Sequence, residues 1–156
     1  MERRTFLFSA TAMALAGPAV AETTCGFEIC RTEAQWRARL TEAEFRILRE
    51  EDTERPFSSE LNDETREGQY LCRGCLLPVY GSETKYDSGA GWPSFYDNLP
   101  GAIGTKEDRR FIFQVRTEVH CRRCGSHLGH VFSDGPEPTG KRHCLNGLSL
   151  RFAPTS

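Results

Sequence analysis

Residues 121–130 read CRRCGSHLGH, which begins with two cysteines separated by two residues. A matching pair, Cys72-Arg73-Gly74-Cys75, lies earlier in the chain, with 45 residues between the two pairs. Each short turn offers two thiolates, and two such turns complete the tetrahedral shell of four sulfurs that is usual for structural zinc. The spacing therefore predicts one Zn²⁺ per chain and a fold that brings two distant turns together. The predicted ligands are Cys72, Cys75, Cys121 and Cys124.

Two other uses of these four cysteines remain open. In an exported protein they could form two disulfides, and a CxxC motif can itself be redox-active. A redox-active CxxC is expected to follow a strand and open a helix, a context that the sequence does not offer. If zinc is bound, four thiolates leave no open coordination position, which indicates a structural ion.

Two capping boxes predict two short helices near the N-terminus. Thr32-Glu33-Ala34-Gln35 and Thr41-Glu42-Ala43-Glu44 each place Gln or Glu three residues after Thr, which satisfies the first backbone N–H groups of a helix. We predict helices from about Glu33 to Leu40 and from Glu42 to Glu50, and a surface connection over Asp52 to Gly68. The predicted buried stripe is Trp36, Leu40, Phe45 and Leu48.

From Gln69 onward the helical periodicity disappears, and the pattern is typical of an antiparallel β domain. Strands are predicted over Gln69 to Cys72, Arg110 to Val119 and Cys144 to Phe152, separated by turns rich in Gly and Pro. The strand–helix alternation of a thioredoxin or Rossmann fold is missing from the sequence pattern. We therefore predict two small helices followed by a compact antiparallel β domain.

The first 21 residues have the pattern of an export signal. A charged start is followed by an apolar run from Phe6 to Val20 and by Ala19-Val20-Ala21, an A-x-A cleavage pattern. Arg3-Arg4-Thr5-Phe6-Leu7 resembles a twin-arginine signal. We predict a signal at 1–21, an N-terminal arm at 22–31 with Cys25 and Cys30, and a folded domain at 32–156. We expect a periplasmic or exported protein with no stable membrane insertion after cleavage, and an uncleaved anchor is the alternative.

The net charge of the chain and its number of cysteines limit the kinds of function that it can have. The formal net charge of the 156 residues is −2, and removal of the signal, with two Arg and one Glu, leaves −3. A mildly acidic domain lacks the basic surface that nucleic-acid binding requires, so we expect no nucleic-acid partner. Seven cysteines are an odd number, so at least one thiol has no disulfide partner within the chain.

Cys144 is the one cysteine outside the two CxxC pairs and the N-terminal arm. As part of one strand it shares a face with Asn146 and with the apolar residues that follow, so it is either a packed cysteine or a nucleophile. A reactive thiolate needs a polar and preferably cationic setting, and Arg142 and His143 flank it on one side. These residues alone leave both roles open.

Two histidines and a tryptophan are candidates for the surroundings of such a thiolate. His127 and His130 can move a proton near neutral pH, although a structural or metal-binding role is open for each. Gly89 and Gly91 present Trp92 in a loop, where an indole can hold a small apolar group such as a methyl. A position in the core is the alternative for Trp92.

Together these motifs resemble the methionine sulfoxide reductase B family. The matching strings are KYDSG (85–89), GWPSF (91–95), CGSHLGHVF (124–132), DGP (134–136), PTG (138–140) and RHCLN (142–146). The resemblance covers about Trp36 to Phe152. It implies a mainly β fold, with two antiparallel β-sheets that form a compact barrel-like or tent-like domain and with short N-terminal helices. The four CxxC cysteines match the zinc-binding members of the family.

The resemblance also implies an activity, the reduction of methionine-R-sulfoxide, peptide-bound or free, to methionine. Cys144 would attack the sulfoxide sulfur and become a sulfenic acid. The implied helpers are His127, His130 and Asn146 for protonation and positioning, Arg142 for the thiolate, and Trp92 and Phe95 for substrate binding. The implied partners are proteins or peptides with oxidised methionine and a thiol reductant such as a thioredoxin-like protein, and we expect a monomer.

The sequence departs from the family pattern at Ala90. Many members carry a resolving cysteine immediately before the GWPSF string, and an alanine cannot close a disulfide with a sulfenic acid. Cys25 and Cys30 are the candidate resolving cysteines, singly or as a relay. A structural Cys25–Cys30 disulfide and direct reduction by an external thiol are the alternatives. Outside this family, an exported zinc-ribbon binding module or a thiol-disulfide oxidoreductase remains the alternative function.

Overall fold

Two short helices precede a β domain in the computed structural model, which describes residues 25–111 and 114–155. Helix α1 spans Glu33–Arg37 and helix α2 spans Glu42–Glu50. Both predicted capping boxes are confirmed, with the Thr32 and Thr41 hydroxyls accepting from the backbone N–H three residues later. The predicted export signal 1–21 lies outside the described residues.

Within the described residues nine strands form two sheets, and each of their pairings is antiparallel. The smaller sheet has the order β2-β1-β9 and the larger one the order β3-β4-β8-β7-β6-β5. Neither order closes on itself among the described residues. The two-sheet, mainly β prediction is therefore confirmed in its tent-like form. The strands are β1 Gly68–Cys72, β2 Pro78–Gly81, β3 Lys85–Tyr86, β4 Ser94–Phe95, β5 Ile103–Phe111, β6 Gln114–Cys121, β7 His127–Phe132, β8 Arg142–Leu145 and β9 Leu150–Pro154.

Two predicted strands are wrong in their extent. The predicted strand 110–119 crosses from β5 into β6, which form a hairpin. The predicted strand 144–152 is interrupted by a 3-10 turn at Gly147–Ser149, so that β8 and β9 belong to different sheets. A residue distant in sequence stabilises this turn. The Glu54 carboxylate accepts the N–H groups of Gly147 and Leu148 at 2.6 and 3.0 Å.

The core lies between the helices and the sheets. The predicted stripe is confirmed, because all four of its residues are buried. Helix α2 packs against β7 and the turn Gly147–Ser149. From this helix, Arg49 donates to the Cys124 carbonyl at 3.2 Å, which ties the helix to the second CxxC turn.

The connection over 52–68 was predicted to lie on the surface, and this is wrong at Glu54, which is only 8 % exposed. Its buried carboxylate is stabilised by the two backbone N–H groups just described, so burial does not leave it without partners. Residues 60–62 of the same connection form a 3-10 turn. Within 25–111 and 114–155 the helices are too short to cross a bilayer.

Candidate active site

Strands β7 and β8 bring the predicted nucleophile and one predicted histidine together. Cys144 pairs with His130 in the antiparallel register, and directly paired residues project from the same face of a sheet. Both line a cavity of about 110 Å³. Predicted residues Trp92 and Asn146 also line it. The full lining is Thr53, Trp92, Arg116, Gly129, His130, Phe132, Cys144, Leu145 and Asn146.

Burial and one arginine have opposite effects on the pKa of the Cys144 thiol. Burial raises the pKa of the Cys144 thiol, and the attraction of the Arg142 guanidinium opposes that rise. Arg142 is held by Asp134, with Nε–Oδ1 at 2.9 Å and Nη2–Oδ2 at 2.8 Å, and it lies 4.5 Å above the Phe132 ring. A fixed cation two residues from the thiol favours the thiolate form.

His130 is part of a chain of polar contacts. Its Nε2 lies 2.9 Å from Oδ2 of Asp108, and the same oxygen accepts from Arg116 at 2.8 Å. Burial lowers the pKa of His130, with Asp108 acting in the opposite direction. A largely neutral imidazole beside the thiol can exchange a proton near neutral pH.

His127 lies behind His130 and does not line the cavity. It is 1 % exposed, and its ring meets the His130 ring edge-on at 5.4 Å. Its Nδ1 is 3.2 Å from the Glu118 carboxylate. Burial would raise the pKa of Glu118, but the close contacts with His127 and Lys106 lower it overall. The geometry gives His127 a supporting position behind His130.

Trp92 and Asn146 are held by the segment that precedes the first sheet. The Trp92 Nε1–H donates to the Glu54 carbonyl at 3.1 Å, and the Glu54 N–H donates to Asn146 Oδ1 at 3.0 Å. The Asn146 amide nitrogen donates to the Leu128 carbonyl at 3.2 Å. The indole is half-buried, so it offers a surface to the cavity rather than filling the core.

Two residues singled out from the sequence lie elsewhere. Phe95 was assigned to substrate binding, but it is fully buried against Tyr70 and Tyr80 with ring centroids 4.9 and 4.7 Å away. We correct its assignment to the core. His143 points to the other face of β8, where its Nδ1 lies 2.9 Å from the Tyr80 hydroxyl, so it adds no cationic character at Cys144.

The four CxxC cysteines meet at one point, as the spacing predicted. Their sulfurs all lie within 4.8 Å of one another, with Cys72–Cys124 at 3.7 Å and Cys75–Cys121 at 3.5 Å. A tetrahedral ion with Zn–S bonds of about 2.3 Å requires sulfurs about 3.8 Å apart, so the cluster fits such an ion. Hydrogen bonds from the other three thiols lower the pKa of Cys124 well below its ordinary value.

The N-terminal arm docks on the second CxxC turn. Cys25 and Cys30 form a disulfide, and between them the Ile29 N–H donates to the Arg123 carbonyl at 2.9 Å. The Phe27 ring meets His120 edge-on at 5.7 Å. Neither arm cysteine lines the cavity that holds Cys144, so their predicted role as resolving cysteines stays a prediction.

Free thiols among the described residues are the four clustered cysteines and Cys144. Ala90 stands in the loop before Trp92, with its N–H donating to Ser88 Oγ at 3.3 Å. The structure thus offers Cys144 no unpaired thiol outside the metal-type cluster.

Sequence reasoning missed Glu54, Asp108, Arg116 and Glu118. A signal exists for the last three, because polar residues at alternate positions of β5 and β6 face Cys144 and His130 once the register is known. Composition does not give that register, so the alternation alone could not assign Asp108, Arg116 and Glu118 to the site. Glu54 lies in an irregular segment that has no such pattern.

Comparison with known proteins gives a consistent result. Residues 40–154 match the family model described as the SelR domain. Proteins named peptide methionine sulfoxide reductase MsrB are similar along most of their length. That of Teredinibacter turnerae is 51% identical over 75% of this chain and 87% of its own length. The corresponding values are 50%, 80% and 94% for Thiobacillus denitrificans and 49%, 78% and 86% for Methanosarcina barkeri.

Proposed function

The chain belongs to the peptide methionine sulfoxide reductase MsrB family of oxidoreductases, and we propose that it reduces the R epimer of methionine sulfoxide with Cys144 as the nucleophile. The observation that carries this proposal is the small cavity in which Cys144 lies beside His130, Asn146 and Trp92. About 110 Å³ is room for the end of one side chain. The rest of a peptide substrate therefore stays outside the cavity.

In the first step the Cys144 sulfur attacks the sulfoxide sulfur. The oxygen passes to Cys144, which is oxidised from thiol to sulfenic acid, and the substrate leaves as the reduced thioether. Arg142 stabilises the attacking thiolate. The step conserves atoms, since the proton of the thiol ends on the transferred oxygen.

Proton transfer falls to His130, which is the imidazole nearest to the reacting atoms. It takes the proton of the Cys144 thiol and passes it to the sulfoxide oxygen as the S–O bond weakens. His127 supports the ring of His130 from behind. Among the described residues the Asn146 amide nitrogen donates to the Leu128 carbonyl alone, so its second N–H is available to the sulfoxide oxygen.

Selection of the epimer rests on where the methyl group goes. The half-buried indole of Trp92 receives the ε-methyl, because an aromatic face is a favourable surface for a small apolar group. With the methyl against Trp92, the oxygen near His130 and the rest of the substrate directed out of the cavity, three substituents of the sulfur are fixed, which suffices to distinguish two epimers.

Recycling is completed by an external dithiol such as a thioredoxin-like protein. One of its thiols attacks the Cys144 sulfenic acid, which forms a mixed disulfide and releases water, and its second thiol then frees Cys144. This route is supported by Ala90 and by the Cys25–Cys30 disulfide docked on the second CxxC turn. A relay through the arm would instead give a transient disulfide between Cys144 and Cys25 or Cys30, which mass spectrometry after one turnover detects.

The clustered cysteines Cys72, Cys75, Cys121 and Cys124 would hold one structural Zn²⁺. When bound there, the ion supplies no chemistry to the substrate, since four thiolates fill its coordination shell. Its contribution is to join the two CxxC turns, and with them the ends of β1 and β6.

We also propose that the protein acts outside the cytoplasm as a monomer, on exported proteins with oxidised methionine. The support is the sequence pattern of residues 1–21, with cleavage after Ala21. Mass spectrometry of the protein purified from the periplasm tests this. A mature chain that starts at Glu22 is the expected result, and full-length protein in the membrane fraction would contradict it.

The function itself is tested with the two purified epimers of an acetylated methionine sulfoxide and dithiothreitol as the reductant. We expect turnover of the R epimer by the wild type and no turnover by Cys144→Ser. Equal rates on both epimers, or activity in the Cys144→Ser variant, would contradict the proposal.

A further inference from the structure

Glu54 is joined to both sides of the reactive cavity, and we propose that it is a positioning residue that fixes Trp92 and Asn146 for binding of the sulfoxide. The inference rests on the proposed function. Glu54 itself does not line the cavity of Cys144. It lines instead a larger groove that is formed mainly by α2 and residues 52–61.

The carboxylate of Glu54 determines the turn that follows Asn146. Oε1 accepts the Gly147 N–H at 2.6 Å and Oε2 accepts the Leu148 N–H at 3.0 Å. Hydrogen bonds to an ionised acceptor are shorter and stronger than neutral ones, and Glu54 as a whole is only 8 % exposed. The turn Gly147–Ser149 and the side chain of Glu54 therefore hold each other in place.

The backbone of Glu54 is hydrogen-bonded to two residues that line the cavity. Its N–H donates to Asn146 Oδ1 at 3.0 Å, and its carbonyl accepts from Trp92 Nε1 at 3.1 Å. The first contact fixes which end of the Asn146 amide faces Glu54. The second fixes the rotation of the indole. One residue thus links the two groups to which we assign the oxygen and the methyl of the substrate.

Space around the turn leaves little room for compensation. A Cβ added at Gly147 would lie 1.9 Å from Ser59 Oγ and 3.2 Å from Glu54 Oε1. Residue 147 is therefore confined. We expect a change in the length or charge of the Glu54 side chain to shift the positions of Asn146 and Trp92. A displacement of about 1 Å in a positioning contact can lower the rate about 100-fold.

Glu54→Gln is the main test, with Glu54→Asp as the milder variant. Glutamine offers one acceptor oxygen and presents its NH₂ group to the other backbone N–H, so one of the two contacts is lost. Aspartate keeps both oxygens on a shorter chain. Glu60→Gln is the matched control, since Glu60 is an exposed carboxylate lining the same groove.

Three measurements are made on each variant. The first is kcat and KM for the R-sulfoxide. The second is the indole N–H resonance of Trp92 in the substrate-free protein, assigned by Trp92→Phe, with Trp36 as the internal reference. The third is the rate of Cys144 alkylation, which reports the nucleophile independently of substrate binding.

For Glu54→Gln we expect a loss of about 10- to 100-fold in kcat/KM, mostly as a higher KM. The Trp92 resonance should shift while that of Trp36 stays, and alkylation of Cys144 should not slow. Glu54→Asp should lie between this variant and the wild type, and Glu60→Gln should match the wild type.

The inference is overturned if Glu54→Gln keeps kcat/KM within twofold, or if its Trp92 resonance does not move. It is also overturned if both indole resonances change together in Glu54→Gln and Glu54→Asp, which would indicate a general folding role. The indole measurement needs no substrate. Failure of the proposed function would appear instead as a wild type that does not reduce the R-sulfoxide.

Discussion

Cys144 and His130 are direct partners in the antiparallel pair β8–β7, so the sheet itself sets an imidazole beside the proposed nucleophile. The same row continues through the register, from His130 to Glu118 and Lys106 on one side and from Cys144 to Ser94 on the other. Paired residues share a face. The acid–base groups are thus placed by strand pairing, which is more rigid than a loop.

Asp108 should affect the reaction rate through the pKa of His130. Asp108→Asn removes the carboxylate that raises the pKa of His130 against the effect of burial, so the imidazole is protonated only at lower pH. A weaker base accepts the Cys144 proton less readily, so we expect kcat to fall about tenfold at neutral pH, within the usual contribution of general acid–base catalysis, and the acid-side limb of the pH profile to shift toward lower pH. The measurement is kcat between pH 5 and 9.

Asp63→Asn, on an exposed carboxylate, is the control and should leave the profile unchanged. An Asp108→Asn enzyme with the wild-type pH profile would show that the Asp108–His130 contact has no role in the reaction.

Arg142 should set the reactivity of Cys144. Arg142→Leu removes the cation that opposes the rise in the thiol pKa caused by burial. The pKa should therefore rise further, and alkylation at pH 7 should slow by about tenfold for each unit of that rise. The rate of iodoacetamide reaction is measured against pH in the wild type and the variant.

Arg151→Leu changes an exposed arginine of β9 and serves as the control. If Arg142→Leu and Arg151→Leu alkylate at the same rate across the pH range, the proposed support of the thiolate is wrong.

His143 should make the fold sensitive to acid. Burial lowers its pKa to about 4, from 6.5 in the free side chain. Between these values the unfolded chain binds a proton that the folded chain does not, so stability is full above pH 6.5 and is lost as the pH falls toward 4. The loss amounts to at most about 3 kcal/mol.

His143→Gln keeps a polar partner for Tyr80 and removes the titration. Urea unfolding at pH 7 and pH 5 should show a smaller drop in the free energy of unfolding for the variant than for the wild type. An equal drop would mean that other groups cause the acid sensitivity.

The four-cysteine cluster should account for all bound metal. Cys72→Ser should lose zinc and lower the melting temperature, because binding energy at a structural site is also folding energy. Cys144→Ser is the matched control, since it changes one cysteine outside the cluster. Metal analysis should find one zinc in this control, and a wild type without zinc would contradict the assignment.

Much of this arrangement was accessible from the sequence, because its signals are local. The two capping boxes at Thr32 and Thr41 and the two CxxC turns each depend on residues a few positions apart. The motifs around Trp92, His130 and Cys144 carried the family resemblance from which the site residues were predicted. The structure forms both helices at the predicted capping boxes, and it brings the two CxxC turns together.

The remainder depends on contacts between distant residues. The break between β8 and β9 follows from Glu54, about 90 positions earlier in the chain. Phe95 belongs to a matching motif, yet its burial follows from Tyr70 and Tyr80 on another sheet. Local patterns hold no information on such pairings, so only the folded structure could supply them.

A single turnover without reductant tests directly whether Cys144 is the nucleophile. The wild type is mixed with excess R-sulfoxide, methionine is quantified, and sulfenic acid is trapped with dimedone and located by mass spectrometry. We expect one methionine per chain and one adduct at Cys144, with neither formed by Cys144→Ser. An adduct at another cysteine, or methionine production by Cys144→Ser, would contradict this role of Cys144.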